Sequence, residues 1–188
     1  TLFRSSYILH DFGNYKVIDS AQKVEKDQFK KEANDSDLMF FSFYPTKPIG
    51  SCDGGIIVSN DEAKIKWLKE ACLNGMSYAK DNWDRKINFP GYKMYMNSIQ
   101  AYIANESLKK LPKKIEKLSS IREKYNSAFN LNNTSQHLYR LNLQNRDEFM
   151  RAMKEENYQT GVHYAALHKN YVYEQKELYL PKTEFDMR

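Results

Sequence analysis

Cysteine is scarce: Cys52 and Cys72 are the two thiols in 188 residues, and they form no CxxC pair. That excludes a disulfide framework and fits two ordinary thiols in a reducing, cytoplasmic setting. No apolar run approaches the ~20 residues needed to cross a bilayer, and the start lacks a basic-then-apolar signal pattern, so neither a membrane span nor secretion is expected. Internal repeats and low-complexity segments are also missing. What is there, 41% hydrophobic and 28% charged residues, reads as a soluble globular chain able to bury a core for one domain or a domain and a half. It begins with Thr1 and stops at "TEFDMR", which reads as a piece of a longer reading frame.

Basic residues exceed acidic ones, giving a net charge of +5. A polyanionic partner is one reading of that excess. Lys, Asn and Tyr are all abundant, however, so a compositional bias accounts for it better, and nucleic acid is not expected as a partner. The run "KKLPKKIEK" reads as the solvated face of a helix.

Along the chain, "YKVID" (15–19), "LMFFSF" (38–43) and "GIIVS" (55–59) read as strands, the second as one covered on both faces. Asn60 can cap a following helix with Ile65, Leu68 and Cys72 as its inner stripe, ended by Asn74-Gly75. Residues 76–97 form a long loop of the kind that often carries function. A helix over 98–111 follows. Pro112 is expected to open a second one, with Ile115, Leu118, Ile121, Tyr125 and Phe129 on its inner face. The tail reads β-α-β: 137–143, a helix over 146–157, then 160–167. These patterns predict an α/β fold, with a larger sheet part over 1–111 and a smaller α/β part over 112–188.

The chemistry concentrates in "FSFYPTKPIGSCDGG" (41–55). Pro45 and Pro48 stiffen the backbone around Lys47, which sits at the mouth of an apolar strand. Burial disfavours a charged amine, and a neutral amine attacks aldehydes to form a Schiff base. The bland alternative is an ordinary loop lysine. Asp19 closes the first strand with Gln22 three residues on, and in open α/β sheets ligands bind at the carboxyl ends of strands. An ionised Asp there can pair with a protonated pyridine nitrogen; it can equally cap the next helix. Ser42, on the apolar strand, needs a hydroxyl partner, for which a phosphate oxygen or a nearby carbonyl would serve.

Taken together, "VIDSAQ" (17–22), "FSFYPTKPIGSCDGG" (41–55), "GYKMYMNSIQA" (91–101) and "GVHYAALH" (161–168) strongly resemble the DegT/DnrJ/EryC1/StrS family of pyridoxal-phosphate-dependent sugar aminotransferases. Those proteins have the fold-type I, aspartate aminotransferase-like architecture. The resemblance implies that Lys47 attaches pyridoxal 5'-phosphate covalently, that Asp19 pairs with the pyridine nitrogen, that Gln22 lies near the ring hydroxyl and that Ser42 contacts the phosphate. It implies a homodimer in which the loop of Lys93, Tyr95 and Asn97 reaches the partner's phosphate. Here Lys93 and Tyr95 replace the commoner Asn and Arg. His163, Tyr164 and His168 match the motif near the sugar pocket. Metal binding is the rival reading of the two histidines, and their five-residue spacing with no nearby Cys or Asp argues against it.

The activity implied is transfer of an amino group from an amino acid, glutamate in the family, to a nucleotide-linked keto-deoxysugar. Lysine at position 47 favours this over the dehydratases that carry histidine there. A non-catalytic or regulatory homologue that binds a sugar nucleotide or a protein partner is the alternative. The family's phosphate-binding helix start and ring-stacking aromatic do not precede Asp19, so the piece as it stands is expected to be inactive. Its incomplete sheet is expected to pair with another copy.

Overall fold

A computed structural model describes residues 6–77, 84–172 and 179–186. The chain divides into two compact units, Thr1–Tyr139 and Arg140–Arg188.

The first unit is built on a four-stranded sheet in the order β1-β2-β3-β4, with β1 Tyr7–Asp11, β2 Lys16–Asp19, β3 Leu38–Ser42 and β4 Gly55–Val58. The strands expected at 15–19, 38–43 and 55–59 are all present. β1 adds a fourth, antiparallel to β2 through a tight turn in which Gly13 takes a positive φ of 84° and its N–H donates to Asp11 Oδ1 at 2.8 Å. β2 and β3 pair in parallel, with Ile18 opposite Met39 and Asp19 opposite Phe40. β3 and β4 pair antiparallel, with Ser42 opposite Gly55. The sheet is therefore mixed, and its parallel pair is the one that carries Asp19 and Ser42.

The crossover from β2 to β3 contains the short helix α1, Gln28–Glu32. Just before β3, buried Asp37 accepts backbone N–H bonds from Lys16 (2.7 Å) and Asn34 (2.8 Å), which compensates the burial of its charge. Ile18 and Met39 form the buried centre of the sheet. The flanking residues of β3 are only half-buried, so the double coverage expected for "LMFFSF" is realised only in part.

Helix α2, Glu62–Ala71, is capped by Asp61, one residue beyond the Asn60 expected, through a 3.0 Å bond from the Lys64 N–H. Ile65, Leu68 and Cys72 are its half-buried stripe, and Asn74 and Gly75 end the turn with positive φ.

The largest departure is α3. It runs unbroken from Ser98 to Phe129 with Pro112 inside it, where the sequence predicts two helices. Proline at 112 removes the donor for the Leu108 carbonyl, but Leu108 lies on the wet side, 49% exposed, where water can satisfy it. Leu111 on one side of the proline is buried, and Ile115 on the other packs against the same cluster. That packing, with a complete capping box between Asn97 and Gln100, outweighs a penalty of about 3 kcal/mol for an interior proline.

The second unit holds α4, Arg146–Glu155, a short 3-10 turn at Leu167–Lys169, and α5, Pro181–Asp186. The strands expected at 137–143 and 160–167 are not formed. A strand is stable only when a neighbour takes up its backbone groups, and no partner strand lies beside these segments among the described residues. Among those residues, too, no helix is long and apolar enough to cross a membrane.

Candidate active site

The mixed sheet gathers four strand termini at one end. Parallel pairing puts the carboxyl ends of β2 and β3 side by side, and the Ser20 N–H extends it by donating to the Phe40 carbonyl at 2.9 Å. Because β1 and β4 run the other way, their first residues, Tyr7 and Gly55, arrive at the same end, opposite Asp19 and Ser42. Ile18 points into the core, so strand alternation turns Asp19 to the opposite face. Its carboxylate accepts the Ala21 N–H at 2.8 Å, and Tyr7 of β1 stands opposite it in the register. Burial first, and then the neighbouring Asp19 carboxylate, push the Tyr7 phenol above its ordinary range. Tyr7 lies outside every sequence motif. A tyrosine entering the edge strand opposite Asp19 was the signal available, and it needed the register to be read.

Beyond Asp19 the chain makes a tight, strongly bonded turn. Ser20 Oγ donates to the Lys23 carbonyl at 2.9 Å and accepts from Gln28, whose amide oxygen takes the Glu25 N–H at 2.9 Å. Lys23 pairs with Glu32 and, at 3.5 Å, with Glu25. Ser20 and Gln28 are both buried and both satisfied. Gln22 is different: its side-chain oxygen is buried and has no hydrogen-bond partner, the single such side-chain atom among the described residues. Leaving a buried acceptor unmade costs about 1–3 kcal/mol, so this oxygen is suited to a donor from a bound molecule.

Lys47 stands in a loop that leaves β3 and returns to β4. The Phe43 N–H donates to Gly54 (2.8 Å) and its carbonyl accepts from Ser51 (2.9 Å), so the loop is closed at its base by backbone bonds. The Lys47 N–H completes a turn onto the Tyr44 carbonyl at 2.9 Å. Gly50 must be glycine, since any Cβ there would strike the Pro45 carbonyl, and Gly54 holds a φ of 111°. Phe43 and Ile49 pack with Ala104 and Leu111 of α3, so the stiffness expected from the two prolines is reinforced by core packing. Ser42 Oγ accepts the Tyr44 N–H at 3.2 Å. The Lys47 side chain is half-buried, and among the described residues its ammonium has no hydrogen-bond or ion-pair partner. Asp19, Gln22, Ser42 and Lys47 thus belong to neighbouring strand ends and the two loops that leave them.

The remaining candidates lie apart in the sequence. The loop over 76–97 falls partly outside the described residues, at 78–83. Its described end is tied to the close of α2 by Tyr92 N–H to Ala71 (2.7 Å) and Met94 N–H to Cys72 (2.9 Å). Lys93 sits with its ammonium 5.8 Å from the Tyr95 ring centre, and Tyr95 is exposed. Asn97 spends its carboxamide oxygen on capping α3, accepting the Gln100 N–H at 2.9 Å. His163, Tyr164 and His168 belong to the second unit, where the His163 and Tyr164 rings meet edge-on at 5.2 Å and Tyr164 is largely exposed. No group of three or more metal-ligating side chains occurs among the described residues.

Comparison with known proteins gives a consistent result. The model of the DegT/DnrJ/EryC1/StrS aminotransferase family matches residues 17–185. The spore coat polysaccharide biosynthesis protein SpsC of Bacillus subtilis is 29% identical over 79% of this chain and 45% of its own length. The UDP-4-amino-4,6-dideoxy-N-acetyl-beta-L-altrosamine transaminase of Campylobacter jejuni is 31% identical over 63% of this chain and 32% of its own. In structure, Spr1654 of Streptococcus pneumoniae, named as a sugar aminotransferase and solved in PLP and PMP forms, superposes with a TM-score of 0.74 at 22% identity. That match covers 91% of this chain and 49% of the other. The chain spans less than half the length of these curated relatives.

Proposed function

The chain belongs to the DegT/DnrJ/EryC1/StrS aminotransferase family, whose members use pyridoxal phosphate, and on that premise we propose that Asp19, Gln22, Ser42 and Lys47 are its share of a sugar aminotransferase active site. The reading rests on the parallel β2–β3 pair, which sets the strand ends bearing Asp19 and Ser42 side by side, with Gln22 and Lys47 in the loops that leave those ends. The residues present fit the cofactor: an amine without a partner, an unpaired buried amide oxygen, a carboxylate and a hydroxyl at neighbouring strand ends.

Pyridoxal phosphate, when bound, supplies an aldehyde that captures amines and a protonated ring that withdraws the electron pair of the bond broken at the substrate carbon. The chain does the rest. Lys47 would provide the amine that holds the aldehyde carbon and, when freed, the base that takes the proton from the donor's α-carbon. The Asp19 carboxylate, oriented by the Ala21 N–H, would hold the proton of the pyridine nitrogen. Gln22 would offer its unpaired amide oxygen to the ring hydroxyl, and the Ser42 hydroxyl would donate to the phosphate.

The donor is an amino acid, glutamate in this reading, and the acceptor a nucleotide-linked keto-deoxysugar, held in part by His163, Tyr164 and His168. Residues 1–111 serve as the cofactor-binding part and 112–188 as the start of the smaller one. The protein works in the cytoplasm as a homodimer. Support for the dimer comes from the exposed Tyr92, Met94, Tyr95, Ile99 and Tyr102 around the loop assigned to the partner's phosphate. Within that loop Lys93 is the phosphate ligand of choice, since Asn97 is already engaged as a cap and Lys93 carries a charge.

In the full-length protein, Lys47→Ala is expected to abolish turnover, a loss of at least ~1,000-fold, together with the yellow absorbance of bound cofactor. A variant that stays yellow and active removes Lys47 from this role.

A further inference from the structure

Residues 47–51 are held, one after another, by a single face of α3. Lys114 Nζ donates to the carbonyl of Pro48 at 3.0 Å and to that of Lys47 at 3.4 Å. Ile49 packs with Ala104 and Leu111. Ser107 Oγ donates to the Gly50 carbonyl at 2.6 Å, and Ser51 Oγ donates to the Gln100 carbonyl at 2.8 Å. Positions 100, 104, 107, 111 and 114 step by four, three, four and three, which stacks them along one helix face. At a rise of ~1.5 Å per residue the grip extends about 20 Å along the helix.

Apolar packing alone would seat the loop. The polar contacts do something more specific: they seize backbone carbonyls, one of which belongs to Lys47 itself, and so fix the starting point of its side chain. Neither Ser107 nor Lys114 is needed for the helix, which would accept any good helix former at these partly exposed positions. We propose that Ser107 and Lys114 are positioning residues that hold the backbone of Lys47 so that its amine is presented at the carboxyl ends of β2 and β3. The proposal rests on the reading of Lys47 as the cofactor-attachment residue. Small displacements of a reacting group cost rate steeply, about a hundredfold for an ångström, so a loosened carbonyl grip should register at the amine.

The test uses the full-length protein mixed with pyridoxal phosphate, borohydride fixation at timed intervals, and peptide mass spectrometry to read attachment at Lys47. The double variant Ser107→Ala/Lys114→Met is expected to attach roughly tenfold more slowly, with a displaced pH midpoint of the visible band and a larger fall in kcat than rise in KM. The conservative pair Ser107→Thr/Lys114→Arg should restore most of the rate. Lys113→Met, at the adjacent exposed lysine, should leave it unchanged. A folded double variant with wild-type attachment rate and pH midpoint overturns the proposal. Should the double variant not fold, each single variant is read by the same criteria, and wild-type behaviour in both overturns it. Fixation of the wild-type protein at a different lysine overturns the reading of Lys47 and this proposal with it. That outcome is told apart from failure of the grip alone by amide hydrogen exchange, since Lys114→Met should still deprotect residues 47–51.

Discussion

Two stretches carry motifs of equal clarity in the sequence, 41–55 in the first unit and 161–168 in the second, and the structure treats them very differently. The first is closed at its base by Phe43 bonds to Gly54 and Ser51, shaped by Gly50 and Gly54, and seated in a core of Phe43, Ile49, Ala104 and Leu111. The second has one buried residue, Ala166, and an edge-on pair of exposed rings. A motif records chemistry; how firmly that chemistry is held depends on which neighbours the chain itself supplies. In the first unit the sheet and α3 supply them within residues 6–139. In the second unit the alternating segments find no partner strand among the described residues.

The contrast breaks most directly at Phe43. Replacing this 8% exposed ring with alanine should cost about 3–5 kcal/mol, because the cavity opens between the loop and α3, where the helix cannot collapse onto it. Chemical denaturation checks the stability, and borohydride fixation in the full-length protein checks whether Lys47 is lost with it. A cost below about 1 kcal/mol would mean that the loop is held by its backbone bonds alone, which would shrink the difference between the two motifs.

A finer test concerns the turn that carries Gln22. Glu32 is partly buried, which by itself would raise its carboxyl, but hydrogen bonds from Lys23, Ser6 and Gln28 and the Lys23 charge bring it below the usual value. A carboxyl depressed in the folded state contributes stability above its unfolded pKa and loses it as pH falls through the folded one. The first unit should therefore weaken as pH drops below ~4.5, and Glu32→Gln should remove about 1 kcal/mol at neutral pH and flatten that acid limb. Urea midpoints between pH 3 and 7 read both effects. An unchanged acid limb in the variant would place the pH dependence elsewhere in the molecule.

What the sequence made legible follows the same division. The places of Asp19 and Ser42 could be read because short strands with strong apolar patterns end at them, and that of Lys47 because two prolines flank it in the loop that follows. Gln22 was singled out only through the resemblance; that its oxygen is buried and unpaired is a tertiary fact that no local pattern carries. Tyr7 escaped because β1 is an edge strand whose residues 8–11 are exposed, so no alternation marks it. The unbroken α3 escaped for a tertiary reason: local rules stop a helix at Pro112, and the packing of Leu111 and Ile115 carries it through. The same long-range packing hid Ser107 and Lys114, which lie in a lysine-rich stretch that reads as a wet surface. Residues 137–143 and 160–167 failed in the opposite sense, since their alternation is real and the partner it requires is not at hand.

The smallest expected effect separates holding from chemistry in the second unit. Tyr164 is 72% exposed and its ring meets that of its neighbour His163, so Tyr164→Ala should shift stability by less than about 0.5 kcal/mol. If the motif serves only packing, nothing else should change. If it faces the sugar, the full-length variant should show a raised KM for the keto-sugar with an unaltered melting temperature and unaltered attachment at Lys47, because the lost contact belongs to the substrate alone. That pattern would make 161–168 a binding surface that needs no firm seat of its own, whereas a large loss of stability would mean that it is packed in the whole protein as tightly as 41–55 is here.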